Sequence, residues 1–130
     1  MSRVLFVCEH GAAKSVLAAT YFNHFAERSG LSMRAVARGT APDAEIPPAV
    51  VQGLARAGLA PCTPAPIALA PADLEAATQV VTFDQPQVAT LVPMPGRVLS
   101  WNDLPPVSAD FGVARDAILA KVQALIAGYL

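Results

Sequence analysis

Within eight positions the chain reads Cys8-Glu9-His10-Gly11-Ala12-Ala13-Lys14-Ser15: a sulfur nucleophile, a run of small residues, a cation and a hydroxyl. Ahead of it, Val4-Leu5-Phe6-Val7 is a continuous, partly β-branched apolar run, which suits a strand covered on both faces. Behind it, Leu17, Tyr21, Phe25 and Arg28 recur at helical spacing, and Gly30 stands where a C-terminal cap belongs. The octet therefore joins a strand to a helix N-terminus, where unpaired backbone N–H groups and the helix dipole favour an anion. A thiol at such a position is favoured in its charged, nucleophilic form.

Each member of the octet has an expected part in that chemistry. Gly11, Ala12 and Ala13 let the backbone close around a tetrahedral oxyanion, and Gly11 can take positive φ without penalty. Lys14 sets a cation beside the bound oxygens, and Ser15 either hydrogen-bonds the thiolate or caps the helix. Glu9 sets a carboxylate against the same anion, which a protonated His10 offsets. The reaction these residues suggest is attack by sulfur on a bound oxyanion.

Several more elements are needed to position the octet. Met33 to Val36 reads as a second strand, ended by Arg38-Gly39-Thr40; Pro47-Pro48 opens a helix carrying Val51 and Leu54 that Gly58 closes. Ala60 to Pro71 is rich in Pro and Ala and reads as an extended connection. Asp73 starts a short helix through Ala77; Val80 to Phe83 and Arg97 to Leu99 are two further strands. A last helix carries Val113, Ile118, Val122, Leu125 and Ile126 on one stripe. Strands alternating with helices predict an α/β fold with a parallel sheet and helices on both faces. Ligands in such sheets sit beyond the carboxyl ends of the strands. The segments after each strand should share one crevice: the octet, Arg38 to Thr40, Phe83-Asp84, and Ser100 to Asp103.

Composition narrows the function classes. With 130 residues, positions 1–130 read as one domain, given roughly 100–200 residues per domain. Nine Lys and Arg against ten Asp and Glu leave no basic excess for a nucleic-acid partner. The 54% hydrophobic content argues against intrinsic disorder, and no apolar run is long enough for a membrane partner or span. Two cysteines, Cys8 and Cys62, make no disulfide scaffold and suit a reducing, cytoplasmic compartment. No His, Cys, Asp and Glu cluster has metal-ligand spacing, so neither a metal nor another cofactor is expected.

The octet and its flanks resemble the low-molecular-weight protein tyrosine phosphatases and their relatives, the thioredoxin-coupled arsenate reductases. The shared pattern is an apolar strand, Cys, five residues, Arg, Ser and a helix; Val4 to Cys8 and Lys14-Ser15 follow it, with Lys14 in place of Arg. Ala35 to Thr40 looks like the family's second strand and its Gly-Thr turn, and Val80 to Phe83, Trp101 to Pro105 and the last helix keep the family order. The resemblance implies a three-layer α/β/α fold with a four-stranded parallel sheet, phosphotyrosine protein phosphatase I-like. It also implies a proton-donating Asp on the loop after the fourth strand, for which Asp103 is the candidate, although the family's Asp-Pro pair is absent there. His10-Gly11 replaces the family's Gly-Asn, and Phe83-Asp84 stands where the reductases carry a resolving cysteine.

Three functions follow as alternatives. The leading one is a phosphatase-like hydrolase, with Cys8 as nucleophile, Lys14 holding oxygens and Asp103 as acid, acting on a phosphorylated protein or small molecule. Lys lacks the planar fork of Arg, so oxyanion binding should survive this exchange better than turnover. The second is arsenate reduction completed by an external thiol, and the third a non-catalytic module that binds phosphate or a similar oxyanion.

Overall fold

Val4, Leu5, Phe6 and Val7 are all fully buried at the centre of a strand, β1 (Arg3–Cys8). The structure is a computed structural model that describes residues 2–92 and 94–130. Parallel neighbours occupy both sides of β1. On one side lies β2 (Arg34–Gly39); on the other lie β3 (Gln79–Thr82) and then β4 (Val98–Ser100), giving the order β2-β1-β3-β4. The chain steps outward from β1 to β2 and returns to the opposite side for β3, so the winding reverses at β1. A crevice opens beyond the carboxyl ends of strands at such a reversal, and Cys8 is the last residue of β1.

The connections run through α1 (Lys14–Arg28) between β1 and β2, then α2 (Pro48–Arg56) and α3 (Pro71–Ala76) between β2 and β3. A 3-10 helix at Pro86–Leu91 and a shorter one at Pro95–Arg97 precede β4, and α4 (Phe111–Tyr129) follows it. Alternate residues of β1 supply opposite faces of the sheet. Val4, Phe6 and Cys8 pack with Val16 and Phe22 of α1, Leu54 of α2 and Ile118 of α4. Leu5 and Val7 pack instead with Leu74 of α3 and with Val80 and Val88. The three layers are therefore unequal: α1, α2 and α4 cover one face, and the short α3 with the first 3-10 helix covers the other.

Several elements differ in detail from the sequence reading: β2 runs from Arg34 to Gly39 rather than from Met33 to Val36, and α2 buries Val50 and Leu54 while Val51 is exposed. The short helix begins at Pro71 rather than Asp73, because the Asp73 carboxylate accepts the Ala70 N–H at 2.9 Å and so sits inside the first turn. On α4 the buried stripe is Ala114, Ile118, Val122 and Ile126. Val113 stays half exposed because Ala114, not Val113, is one helical turn from Ile118. The Ala60 to Pro71 connection is tied to the end of β2 by an isolated parallel bridge between Gly39 and Ala68. Among the described residues, no helix is long and apolar enough to cross a membrane.

Candidate active site

The octet is held from behind by the segment that follows β2. The carbonyls of Cys8, Glu9 and His10 accept the N–H groups of Thr40 (3.1 Å), Ala41 (2.7 Å) and Asp43 (3.0 Å). With its carbonyls engaged on that side, the loop's N–H groups from Glu9 to Lys14 have no protein acceptor among the described residues. The turn depends on Gly11, whose φ is +60°; a Cβ there would meet the Gly39 backbone nitrogen at 2.7 Å. Gly39 presses back just as closely, so both positions need glycine.

Cys8 is 7% exposed, and its Sγ lies 3.0 Å from Ser15 Oγ. Ser15 is itself buried within the first turn of α1, whose N-cap residue is Ala13. The hydroxyl therefore partners the sulfur rather than capping the helix. Below Cys8, Phe6 packs against Phe83 and Trp101 with ring centroids 6.2 Å and 5.7 Å away, a stiff aromatic floor.

Above this floor lies a cleft of about 460 Å³. Its lining includes Cys8, Glu9, His10, Ala12, Ala13 and Lys14 from the octet. Gly11 and Ser15 sit beneath it. Pro47, Ala49, Phe83, Pro106 and Val107 supply apolar wall.

The charges on the lining are mostly negative. Lys14 is the one lysine or arginine there, against the carboxylates of Glu9, Asp43 and Asp84. Lys14 reaches across from α1, donating to the Leu104 carbonyl at 3.2 Å and pairing with Asp84 Oδ2 at 3.6 Å. His10 Nδ1 lies 3.0 Å from Asp43 Oδ1 and its Nε2 lies 3.6 Å from Glu9 Oε2, so the imidazole is held between two carboxylates at the rim.

Asp103, the candidate acid, does not line the cleft. Its backbone adopts φ +61° and its N–H donates to Asp84 Oδ1 at 3.1 Å, while Pro106, Val107 and Ser108 form the wall on that side. Of the aspartates that follow β3 and β4, the one that lines the cleft is Asp84, two residues beyond the end of β3. Phe83 N–H donates to the Val7 carbonyl at 2.8 Å, which carries Asp84 out beside the octet. Asp43 and Gln85 also line the cleft and were not singled out from sequence; their one signal was that each follows a strand. Arg38 faces elsewhere, its Nε donating to Asp73 at 3.1 Å.

Cys62 lies away from the cleft, along a separate groove with Ile46 and Thr63. The residue is solvent-exposed, yet the neighbouring protein partly desolvates its sulfur and pushes its pKa up, opposed by hydrogen bonding with Thr20. No group of three or more His, Cys, Asp or Glu among the described residues could hold a metal.

Comparison with known proteins agrees with this fold. Residues 3–102 match the low molecular weight phosphotyrosine protein phosphatase family. The chain belongs to that family. Among solved structures it is similar to the low molecular weight protein tyrosine phosphatase of T. tengcongensis, with a TM-score of 0.86 at 18% identity, covering 98% of this chain and 99% of that one. It is also similar to an arsenate reductase from Archaeoglobus fulgidus, at 26% identity, TM-score 0.80, with 95% and 98% of the two chains covered. A thioredoxin-dependent arsenate reductase from Corynebacterium glutamicum gives 26% identity and TM-score 0.81, over 98% of this chain and 61% of the other. No curated protein matches the sequence. Within the phosphatase family pattern, this member differs at the cation of its loop, Lys14.

Proposed function

We propose that the protein hydrolyses aryl phosphates and related phosphomonoesters through a cysteinyl-phosphate on Cys8. The observation that carries this reading is Cys8 at the base of the cleft, 3.0 Å from the Ser15 hydroxyl, inside a loop whose N–H groups are left free. Three phosphoryl oxygens take those N–H groups and the Lys14 ammonium, and the thiolate attacks phosphorus in line with the leaving oxygen. Ser15 donates to the sulfur when it carries charge, both as nucleophile and as leaving group in the hydrolytic step. The apolar wall of Pro47, Phe83 and Val107 suits an aromatic leaving group.

Turnover of a chromogenic aryl phosphate, lost in Cys8→Ser, is the expected result. A phosphoryl adduct on Cys8 after acid quench should accompany it, and should accumulate in Ser15→Ala because expulsion of the sulfur slows. Absence of both turnover and adduct in the wild type and in Lys14→Arg overturns the proposal.

A second reading has its own support: Cys8 is the sole cysteine of the cleft, and two structural relatives are arsenate reductases. Arsenate bound at the same loop would form an adduct with Cys8, and external thiol such as glutathione or mycothiol would supply both electrons, leaving arsenite and a disulfide. Thiol oxidation that depends on arsenate and on Cys8 distinguishes this reaction from phosphate ester hydrolysis.

A further inference from the structure

We propose that Asp84, rather than an aspartate of the loop after β4, is the acid and base of this reaction. The inference rests on the reading of Cys8 as the nucleophile and assigns the proton transfers which that reading leaves open.

Asp84 lines the same cleft as Cys8, and Asp103 does not. Its carboxylate is fixed in place: Oδ1 accepts the Asp103 N–H at 3.1 Å, and Oδ2 faces Lys14 at 3.6 Å. Its backbone is fixed as well. The Asp84 N–H donates to Asn102 Oδ1 at 3.0 Å, Gln85 Nε2 donates to the Asp84 carbonyl at 2.9 Å, and φ is held at +56°. A non-glycine residue in this left-handed conformation, pinned by three hydrogen bonds and turned into a nucleophile's cleft, is the kind of local strain that gathers at functional sites. The side chain is 47% exposed, so water can reach it.

The pairing with Lys14 gives a sequence of events. An incoming phosphoryl group competes for the ammonium that Asp84 Oδ2 holds in the free protein. Once Lys14 turns to the phosphoryl oxygens, Asp84 Oδ2 is left beside an anion, where the protonated carboxyl is the compatible partner. As the Cys8 sulfur bonds to phosphorus, the bond from phosphorus to the leaving oxygen breaks and that oxygen takes the proton from Asp84. The products are the free alcohol, the cysteinyl-phosphate and the Asp84 carboxylate. In the second step Asp84 takes a proton from water as the water oxygen bonds to phosphorus. The phosphorus–sulfur bond then breaks, returning the Cys8 thiolate and free phosphate.

The test compares Asp84→Asn on phenyl phosphate, a poor leaving group, and on dinitrophenyl phosphate, which leaves without a proton. Asn tolerates the left-handed backbone and keeps an acceptor for the Asp103 N–H. We expect a loss on the order of 10²-fold or more in the phosphorylation rate for phenyl phosphate, the usual contribution of general acid catalysis. For dinitrophenyl phosphate the loss in that step should be under about tenfold, as no proton need be supplied to the departing oxygen. The retained rate on the second substrate also reports a folded protein.

Equal losses on both substrates would mean that Asp84 only positions Lys14, and would overturn the assignment. So would the selective loss appearing in Asp103→Asn instead. Either result leaves Cys8 chemistry standing, whereas no adduct on Cys8 with either substrate removes the underlying reading and this one together.

Discussion

On the proposed reading, Lys14 sets how well this cleft works as a phosphate site. Its ammonium is a compact charge, already shared between Asp84 and the Leu104 carbonyl, and it lacks the planar fork with which a guanidinium matches two phosphoryl oxygens. Replacing Lys14 by Ala should lower aryl phosphate turnover by about 10²–10³-fold, the scale of losing one oxyanion donor. Lys14→Arg should raise turnover above wild type, measured as kcat on the same substrate. Cys62 offers the opposite case, a thiol pushed toward neutrality. Its pKa is raised by desolvation, so the neutral thiol persists to higher pH than in an open chain. Alkylation of Cys62 should be slow near neutrality and accelerate only above the ordinary thiol range, as mass spectrometry of the Cys8→Ser variant would show. The linked stability follows the same sign: it is fully present below the ordinary thiol pKa and fades as pH rises through the raised value. Cys62→Ala should remove that alkaline loss.

Among the elements, the octet and the turn after β2 behave as one unit. Gly11 and Gly39 face each other with no room for a side chain, and three carbonyls of the loop hang on the N–H groups of Thr40, Ala41 and Asp43. Gly11→Ala forces a Cβ into both a left-handed turn and the Gly39 backbone. It should cost about 2 kcal/mol or more in a urea titration and weaken phosphate binding with it. Gly39→Ala should do the same from the other side, without altering any group that touches the anion. Arg38 ties β2 to α3 through Asp73, with the two side chains only 16% and 12% exposed. Arg38→Ala leaves the Asp73 carboxylate short of its charged partner and should cost about 2 kcal/mol while leaving turnover near wild type.

For the molecule as a whole, the sheet order places Cys8 at the point where the winding reverses, with loops from four strand ends around it. A ligand there binds the folded chain and not the unfolded one, so phosphate should raise the thermal midpoint. At a hundredfold excess over its Kd the stabilisation is about 2.7 kcal/mol. The rise should shrink in both Lys14→Ala and Gly11→Ala, read by differential scanning fluorimetry. The strand and helix alternation that leads to this architecture is legible along the chain. Val4 to Val7, the stripe at Ile118 and Val122, and the prolines opening α2 all announce their elements locally. The 3-10 helix at Pro86–Leu91 is not, because Gln85 ahead of it accepts the Thr40 hydroxyl at 2.8 Å, a contact between the ends of β3 and β2 that are far apart in the chain.

What the sequence by itself determined is the octet: a sulfur, small residues, a cation and a hydroxyl are contiguous, and a strand before and a helix after them mark where their backbone turns. The site's carboxylates were decided only in three dimensions. Asp84 and Asp103 both follow strands and both look like turn formers. The register of β3 against β1 carries Asp84 into the cleft, and the hydrogen bond from the Asp103 N–H to Asp84 leaves Asp103 outside its wall. Asp43 reaches the rim in the same way, through pairing of the chain after β2 with the octet. Such placements depend on hydrogen bonds between residues far apart in the chain, and a pattern read along one segment does not contain them.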